Sequence, residues 1–293
     1  MIVITGASGN IGSKIATNLL SQGQDIRCVA RTEGKLKELE GKGAEIATGS
    51  LDDIAFLTKA FLNADAVFSM IPPNYIASDF RAYQNIVGAS IAEAIEKSGV
   101  KYIVNLSSQG ADLTDKTGPI KGLHDQEERL NRLKDANILH IRPTYFMENL
   151  LASVEMIKKM NIMGSALRGD MKFPMIATKD IALFASERLL KRDFTGISVR
   201  DLLGQRDISM TEIAEIIGSK IDKPDLKYLQ FSYEDTKQSL VGMGLSEDVS
   251  GLIIEMSKAI NERLIMNTPR TKENTSETSL EDFAEIFVRL IKA

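Results

Sequence analysis

A doubly wound α/β fold, a parallel sheet with helices on both faces, is predicted by three features of the sequence. A short apolar run at residues 2–4 breaks into three glycines, Gly6, Gly9 and Gly12. Short apolar segments then alternate with helix-length segments as far as residue 144. Within the longer segments apolar residues recur at helical spacing, as at Ile11, Ile15, Ala16, Leu19 and Leu20. Strands that are apolar on both faces and joined by helices require parallel pairing and right-handed crossovers.

Taken in order, residues 2–4 read as a buried strand and 11–20 as a helix packed on the sheet. The turn between them joins a strand end to a helix N-terminus. Glycines without Cβ let the chain turn sharply and let a pyrophosphate approach the backbone, while the free N–H groups hold its charge. The spacing is three and three, unlike the G-x-G-x-x-G of the commonest dehydrogenases. Residues 26–30 form the second strand, followed at once by Arg31, and no acid stands at 27–32. NAD-selective sites place a carboxylate here for the ribose 2′-OH, whereas an arginine suits a 2′-phosphate. Arg31, helped by Thr32 and Lys35, therefore predicts NADP(H) in preference to NAD(H). Later strands are expected at 44–48, 66–70, 102–106 and 138–141, with helices at 54–61, 79–98 and 120–134. Ligands bind at the carboxyl ends of such strands, which here carry residues 6–9, 31, 49–52, 69–73, 107–110 and 142–144.

Past residue 144 the pattern is less regular. Residues 145–160 read as helical, 172–176 as extended, 178–190 as helical and 196–202 as a strand. A helix at 210–220 starts at Ser209, a cap with Glu212 three residues later. From 232 the chain reads as mostly helical, with a polar loop at 268–278. The expected organisation is a Rossmann-type core at 1–144, with 177–203 returning to it. Residues 145–176 and 204–293 form a smaller mixed, mostly helical substrate-covering region.

Composition excludes several classes. The 293 residues are 43% hydrophobic and 26% charged, ordinary for a soluble globular protein. No apolar run approaches the roughly 18 residues of a membrane span. The chain enters a strand without the basic region, apolar stretch and cleavage site of a secretory signal, so a cytoplasmic location is expected. The single cysteine, Cys28, permits no intrachain disulfide and reads as a small buried hydrophobe. Two histidines and one cysteine make a zinc site unexpected, and a net charge of −4 without a basic block argues against direct nucleic-acid binding. A monomer or homodimer acting on a small molecule is expected.

Several stretches together resemble the NmrA-like group of atypical short-chain dehydrogenase/reductase proteins. They are Thr5-Gly-Ala-Ser-Gly-Asn-Ile-Gly12, Ala30-Arg31-Thr32, Gly49-Ser-Leu-Asp-Asp53, Asn105-Leu-Ser-Ser108, Ile141-Arg-Pro-Thr-Tyr-Phe-Met-Glu-Asn149 and Ala177-Thr-Lys-Asp-Ile-Ala182. The resemblance covers about two thirds of the chain and thins after residue 204. It implies that Gly6, Ser8, Asn10 and Ile11 surround the pyrophosphate, Arg31 and Lys35 the adenosine phosphate, and Leu51 the adenine. It further implies that Ser69, Met70, Ile71 and Pro72 flank the inner ribose and nicotinamide.

The chemistry of the wider superfamily transfers less well. Its reductases use Tyr-x-x-x-Lys on the helix after the fifth strand, the lysine lowering the tyrosine pKa. Counting back from Arg142-Pro143, the lysine slot falls near His124 and the tyrosine slot near Ile120; a slide of one turn gives His124 and Glu128. Neither supplies a phenol. Tyr233-Glu-Asp-Thr-Lys237 spells the motif far outside that context and reads as coincidence. His124, with an ordinary pKa of about 6.5, suits a proton donor beside a hydride acceptor. Glu128, one turn on, is placed to orient the ring or raise its pKa. Ser107 and Ser108 are candidates to hydrogen-bond a substrate oxygen or the nicotinamide ribose, and His140 reads as a core residue. Tyr145, Phe146, Met147, Met156, Met160 and Met163 are candidates for an adaptable apolar wall.

Two functions fit. One is an NAD(P)H-dependent reductase passing hydride to a small electrophilic acceptor such as a quinone, which needs little proton assistance. The other is a catalytically inactive NADP(H)-binding redox sensor acting through a protein partner. Sugar-nucleotide epimerase chemistry needs the tyrosine base and is disfavoured.

Overall fold

The computed structural model describes residues 1–292. Strand and helix alternate through the first half: β1 (Ile2–Thr5), α1 (Gly12–Ser21), β2 (Ile26–Ala30), α2 (Lys37–Gly41), β3 (Glu45–Thr48), α3 (Ile54–Phe61), β4 (Ala66–Ser69), α4 (Phe80–Ser98), β5 (Tyr102–Leu106), α5 (Lys121–Leu130) and β6 (Asn137–Pro143). There follow β7 (Tyr145–Phe146), a 3-10 segment (Met147–Ser153), α6 (Val154–Met160), β8 (Ile162–Ser165), β9 (Phe173–Ile176), α7 (Thr178–Lys191) and β10 (Ile197–Leu202). The chain ends in β11 (Asp207–Ile208), α8 (Met210–Lys220), β12 (Lys227–Gln230), α9 (Tyr233–Gly242), α10 (Glu247–Asn261), α11 (Leu280–Phe283) and α12 (Glu285–Lys292).

Seven strands form one parallel sheet in the order β3-β2-β1-β4-β5-β6-β10. Because successive side chains of a strand point to opposite faces, the sheet divides its apolar residues between two cores. Ile4, Cys28 and Phe68 meet Ile15 and Leu19 of α1 and Ile181, Ala185 and Leu189 of α7. Val3, Val29, Val67 and Ile103 meet Leu57 and Phe61 of α3 and Val87, Ile91 and Ile95 of α4. Each such large side chain contributes about 1.5–3 kcal/mol on full burial. Asp53 and Asp79 start α3 and α4 by accepting from the Phe56 and Ala82 amides at 3.0 and 2.8 Å. The chain winds outward from β1 through β2 to β3, then returns to β4 on the other side of β1. That reversal opens a crevice between β1 and β4.

The second half builds a third core from Met147, Leu150, Ile157, Met163, Phe173, Ile213, Ile217, Phe283 and Phe287. Residues 145–160, expected as one helix, are instead β7, the 3-10 segment and α6. Two small sheets account for the difference: β7 and β11 flank β9, and β8 pairs in parallel with β12. Within 145–160 only Tyr145 and Phe146 leave the helical pattern, pairing with Met175 and Ile176 of β9, and a two-residue strand shows no period of its own. The supposed methionine wall is also divided: Met147 and Met163 are buried in this core, while Met160 is 57% exposed. Among the described residues no helix is long and apolar enough to cross a membrane, and no three His, Cys, Asp or Glu side chains are grouped to hold a metal ion.

Candidate functional site

The crevice between β1 and β4 is closed at its base by Thr5. Its buried hydroxyl donates to the Phe68 carbonyl at 3.0 Å and accepts from the Met70 amide at 3.2 Å, holding the two strand ends together. Above it the three glycines pack on one another. Gly6 has φ +64, and a Cβ there would lie 2.7 Å from the Met70 sulfur; a Cβ on Gly12 would lie 2.3 Å from the Gly6 oxygen. The Gly9 amide donates to that same oxygen at 2.9 Å, Ala7 donates to Val29 and Ser13 to Gly9. Among the described residues, the amides of Ser8, Asn10, Ile11 and Gly12 donate to no protein acceptor. Helix α1 has neither a side-chain cap nor an acid in its first turn, unlike α3, α4, α8 and α10, which carry Asp or Ser caps. A backbone with open donors at an uncapped helix start fits a pyrophosphate.

Beside this turn, Arg31, Thr32 and Lys35 are exposed at the end of β2, and Arg31 forms no ion pair among the described residues. Arg31 and Asp52 act in opposite directions on the phenol of Tyr83, which burial pushes up. Leu51 is buried at the same edge, where the Gly49 amide donates to Ala30 at 3.1 Å. Lys35, Lys14, Lys179 and Ser8 line a groove of about 370 Å³ against the glycine turn.

On the other side of the crevice, Ser69 is fully buried and its hydroxyl has no partner; Ile71 is buried, Met70 and Pro72 half-buried. Two further orphans lie close by in the topology: both amide atoms of Gln109, after β5, and the Thr144 hydroxyl, after β6. A buried polar group without a partner is unfavourable. Three of them stand at the carboxyl ends of adjacent strands.

The turn after β5 is different in kind. The Ser107 hydroxyl donates to Glu127 of α5, and Arg142 donates to the same carboxylate through Nε at 2.9 Å and Nη2 at 2.5 Å. Glu127 is 4% exposed. Burial pushes its carboxyl up, but the Arg142 guanidinium and the Ser107 hydroxyl outweigh burial and hold it below the usual range. Ser107 is thus committed to Glu127, whereas half-buried Ser108 donates only to the neighbouring Gln109 carbonyl at 3.2 Å. Glu127 was not among the sequence candidates. Its signal was present, since it shares the inward helical face of Leu123 and Leu130.

His124 is half-buried, and its Nδ1 donates to the Ala111 carbonyl at 2.8 Å. A carbonyl only accepts, so Nδ1 carries the proton and Nε2 is the free position. Glu128 is exposed and makes no hydrogen bond or ion pair to His124 among the described residues; the orienting partner is the backbone carbonyl. His140 is fully buried between Asn105 and Asn131, at 3.1 and 2.9 Å. Burial lowers its pKa, the nearby Glu127 offsetting only part of the effect. The Tyr233 hydroxyl accepts from Asn261 at 2.9 Å and Lys237 pairs with Glu247 at 2.8 Å, so both are engaged with α10. Cys28 is fully buried, and burial pushes its thiol up to about 12, so it remains a thiol. Burial likewise pushes the Tyr145 phenol up to about 12, which makes it a poor proton donor.

Comparison with known proteins agrees with this geometry. NAD(P)H azoreductase of Xenophilus azovorans is 25% identical over 256 residues, covering 87% of this chain and 86% of that protein. The NADPH-dependent quinone oxidoreductase of Escherichia coli, solved with NADPH, superposes with a TM-score of 0.81 at 21% identity, covering 98% of this chain and 99% of that one. Citrobacter sp. triphenylmethane reductase complexed with NADP(H) gives 0.80 at 20% identity, covering 98% and 100%. The two superpositions show a shared fold. The sequence model of the NmrA-like family matches residues 1–284. With the glycine turn, the switch-point crevice and a match over nearly its whole length, the chain belongs to the NmrA-like family.

Proposed function

We propose that this chain is an NADPH-preferring reductase that passes hydride to a small, flat electrophilic acceptor such as a quinone. The observation that carries the reading is the glycine turn with its open amides beside the crevice between β1 and β4. Similarity to an azoreductase, a quinone oxidoreductase and a triphenylmethane reductase supports it.

In this reading Gly6, Ser8, Gly9, Asn10, Ile11 and Gly12 hold the pyrophosphate. Arg31 and Lys35 pair with the 2′-phosphate, Leu51 supports the adenine, and Ser69, Met70, Ile71 and Pro72 face the inner ribose and nicotinamide. When bound, the reduced nicotinamide supplies the hydride. The protein's part is chiefly to hold donor and acceptor in register and to exclude water. His124 keeps its Nδ1 proton on the Ala111 carbonyl, takes a proton from water at Nε2 and passes it to an acceptor oxygen, and the Ser108 hydroxyl hydrogen-bonds the acceptor or the ribose. Residues 145–176 and 204–293 cover the acceptor, and 177–203 belong with the sheet through β10.

The test follows NADPH consumption with a panel of quinones and aldehydes, beside binding titrations of NADPH and NADP⁺. Quinone turnover is expected. His124→Ala should lower aldehyde turnover by roughly a hundredfold while affecting quinones much less; equal rates in wild type and variant would make His124 structural. Tight cofactor binding with no turnover on any acceptor would replace the reductase by the redox sensor.

A further inference from the structure

A polar relay runs from the segment after β7 to the glycine turn. Both carboxylate oxygens of Glu148 lie 3.0 Å from the amide of Thr178, the first residue of α7, and the Thr178 hydroxyl donates to the same carboxylate. That hydroxyl, only 1% exposed with its residue, also accepts from the Lys14 ammonium at 3.2 Å. Lys14 in turn donates to the Asn10 carbonyl at 2.7 Å. The direction is fixed throughout. The acid only accepts and the ammonium only donates, so the hydroxyl between them must give its proton to Glu148 and its lone pair to Lys14.

The last contact has a geometric consequence. In a trans peptide the carbonyl and the following N–H point in opposite directions, and no described peptide bond is cis. An Asn10 carbonyl held toward Lys14 therefore directs the Ile11 amide away from Lys14. That amide is one of the open donors of the turn. Without the relay, the Asn10 carbonyl loses its donor and the Asn10–Ile11 peptide is held only through its neighbours, whose Gly9 and Ile11 carbonyls accept from Ser13 and Ile15.

We propose that Glu148 is a positioning residue for the pyrophosphate turn, acting through Thr178 and Lys14. The proposal rests on the dinucleotide reading of that turn. It assigns a cofactor-binding role to a residue on the acceptor-side half of the chain, far from the glycines in sequence.

The test titrates NADP⁺ into wild type, Glu148→Gln, Glu148→Ala, Lys14→Met and the double variant Glu148→Ala/Lys14→Met, with thermal melting of each in parallel. Glu148→Ala should weaken NADP⁺ roughly tenfold, as for one lost charge-assisted hydrogen bond. It should raise KM for NADPH and leave kcat at saturating cofactor within about twofold of wild type, the pattern for lost uniform binding. Glu148→Gln should restore part of the affinity. The double variant should bind no worse than Lys14→Met, since the two residues act in series. A lower melting temperature with unchanged affinity, or additive losses in the double variant, would overturn the proposal. If wild type itself fails to bind NADP⁺, it is the dinucleotide reading that fails. Should Glu148→Ala not fold, Glu148→Gln and Lys14→Met carry the same comparison.

Discussion

The turns after β1 and β5 sit at the same end of one sheet and are built on opposite principles. After β1 the chain is stripped: three glycines, an uncapped helix, and amides with no acceptor among the described residues. After β5 the chain is tied down, the Gln109 side chain excepted. Ser107 is held by Glu127, Glu127 by Arg142, and the backbone by β6, with Ser107 and Gln109 donating to Ile141 and Pro143 at 2.8 and 3.1 Å. Beneath them, His140 joins Asn105 to Asn131. The difference teaches where this fold keeps its binding capacity and where it keeps its rigidity. Donors for an anionic ligand must be left open, whereas a surface that orients an acceptor must not move. In the proposed reading, a site without a phenol on α5 takes an acceptor for which orientation matters more than proton transfer.

That contrast is most strongly broken at the tied side. Glu127→Ala leaves the half-buried guanidinium of Arg142 with only the longer 3.7 Å pair to Asp112 and should destabilise the protein by about 3 kcal/mol, the low end for a broken buried pair, read from urea unfolding; a loss below 1 kcal/mol would make the pair no more than a surface contact. At the stripped side the effect on stability is smaller and the effect on binding larger. Gly12→Ala drives a methyl group into the Gly6 backbone and should cost about 1–3 kcal/mol while opening the turn to cofactor; unchanged NADPH affinity in this variant would show that the turn does not hold the pyrophosphate.

The smallest effect is one of pH. The folded pKa of His140 is depressed, so its contribution to stability is complete above the ordinary value of 6.5 and is lost as pH falls through the lower folded value. Glu127, also depressed, contributes fully above its ordinary 4.5 and is lost as pH falls below that. The melting temperature should therefore fall in two steps on acidification, the histidine step first. His140→Gln should flatten the upper step and shrink the lower one, since His140 helps to lower the Glu127 carboxyl; a profile identical to wild type would remove His140 from the account.

Much of the stripped side was legible in the sequence because backbone demands select residue types directly. Gly6 needs a positive φ, Gly12 needs the absence of a Cβ, and the lack of an acid at 27–32 is visible without coordinates. The sheet was legible for the same reason, since strands buried on both faces cannot alternate with polar residues. The tied side was not, because it depends on pairings across long separations. Helical spacing from Leu123 to Leu130 turns Glu127 inward, but nothing local shows that it meets Arg142, or that the Ala111 carbonyl takes the His124 ring. Strands β8 and β12 escaped notice for a related reason: each pairs only with the other, across more than sixty residues.

The most direct measurement of the central claim is a calorimetric titration of NADPH and of NADH into wild type and Arg31→Glu. An open glycine turn flanked by Arg31 should bind NADPH at least roughly tenfold more tightly than NADH, and the variant should lose that preference while keeping its affinity for NADH. Equal affinities for the two cofactors in wild type, or binding of neither, would contradict the account.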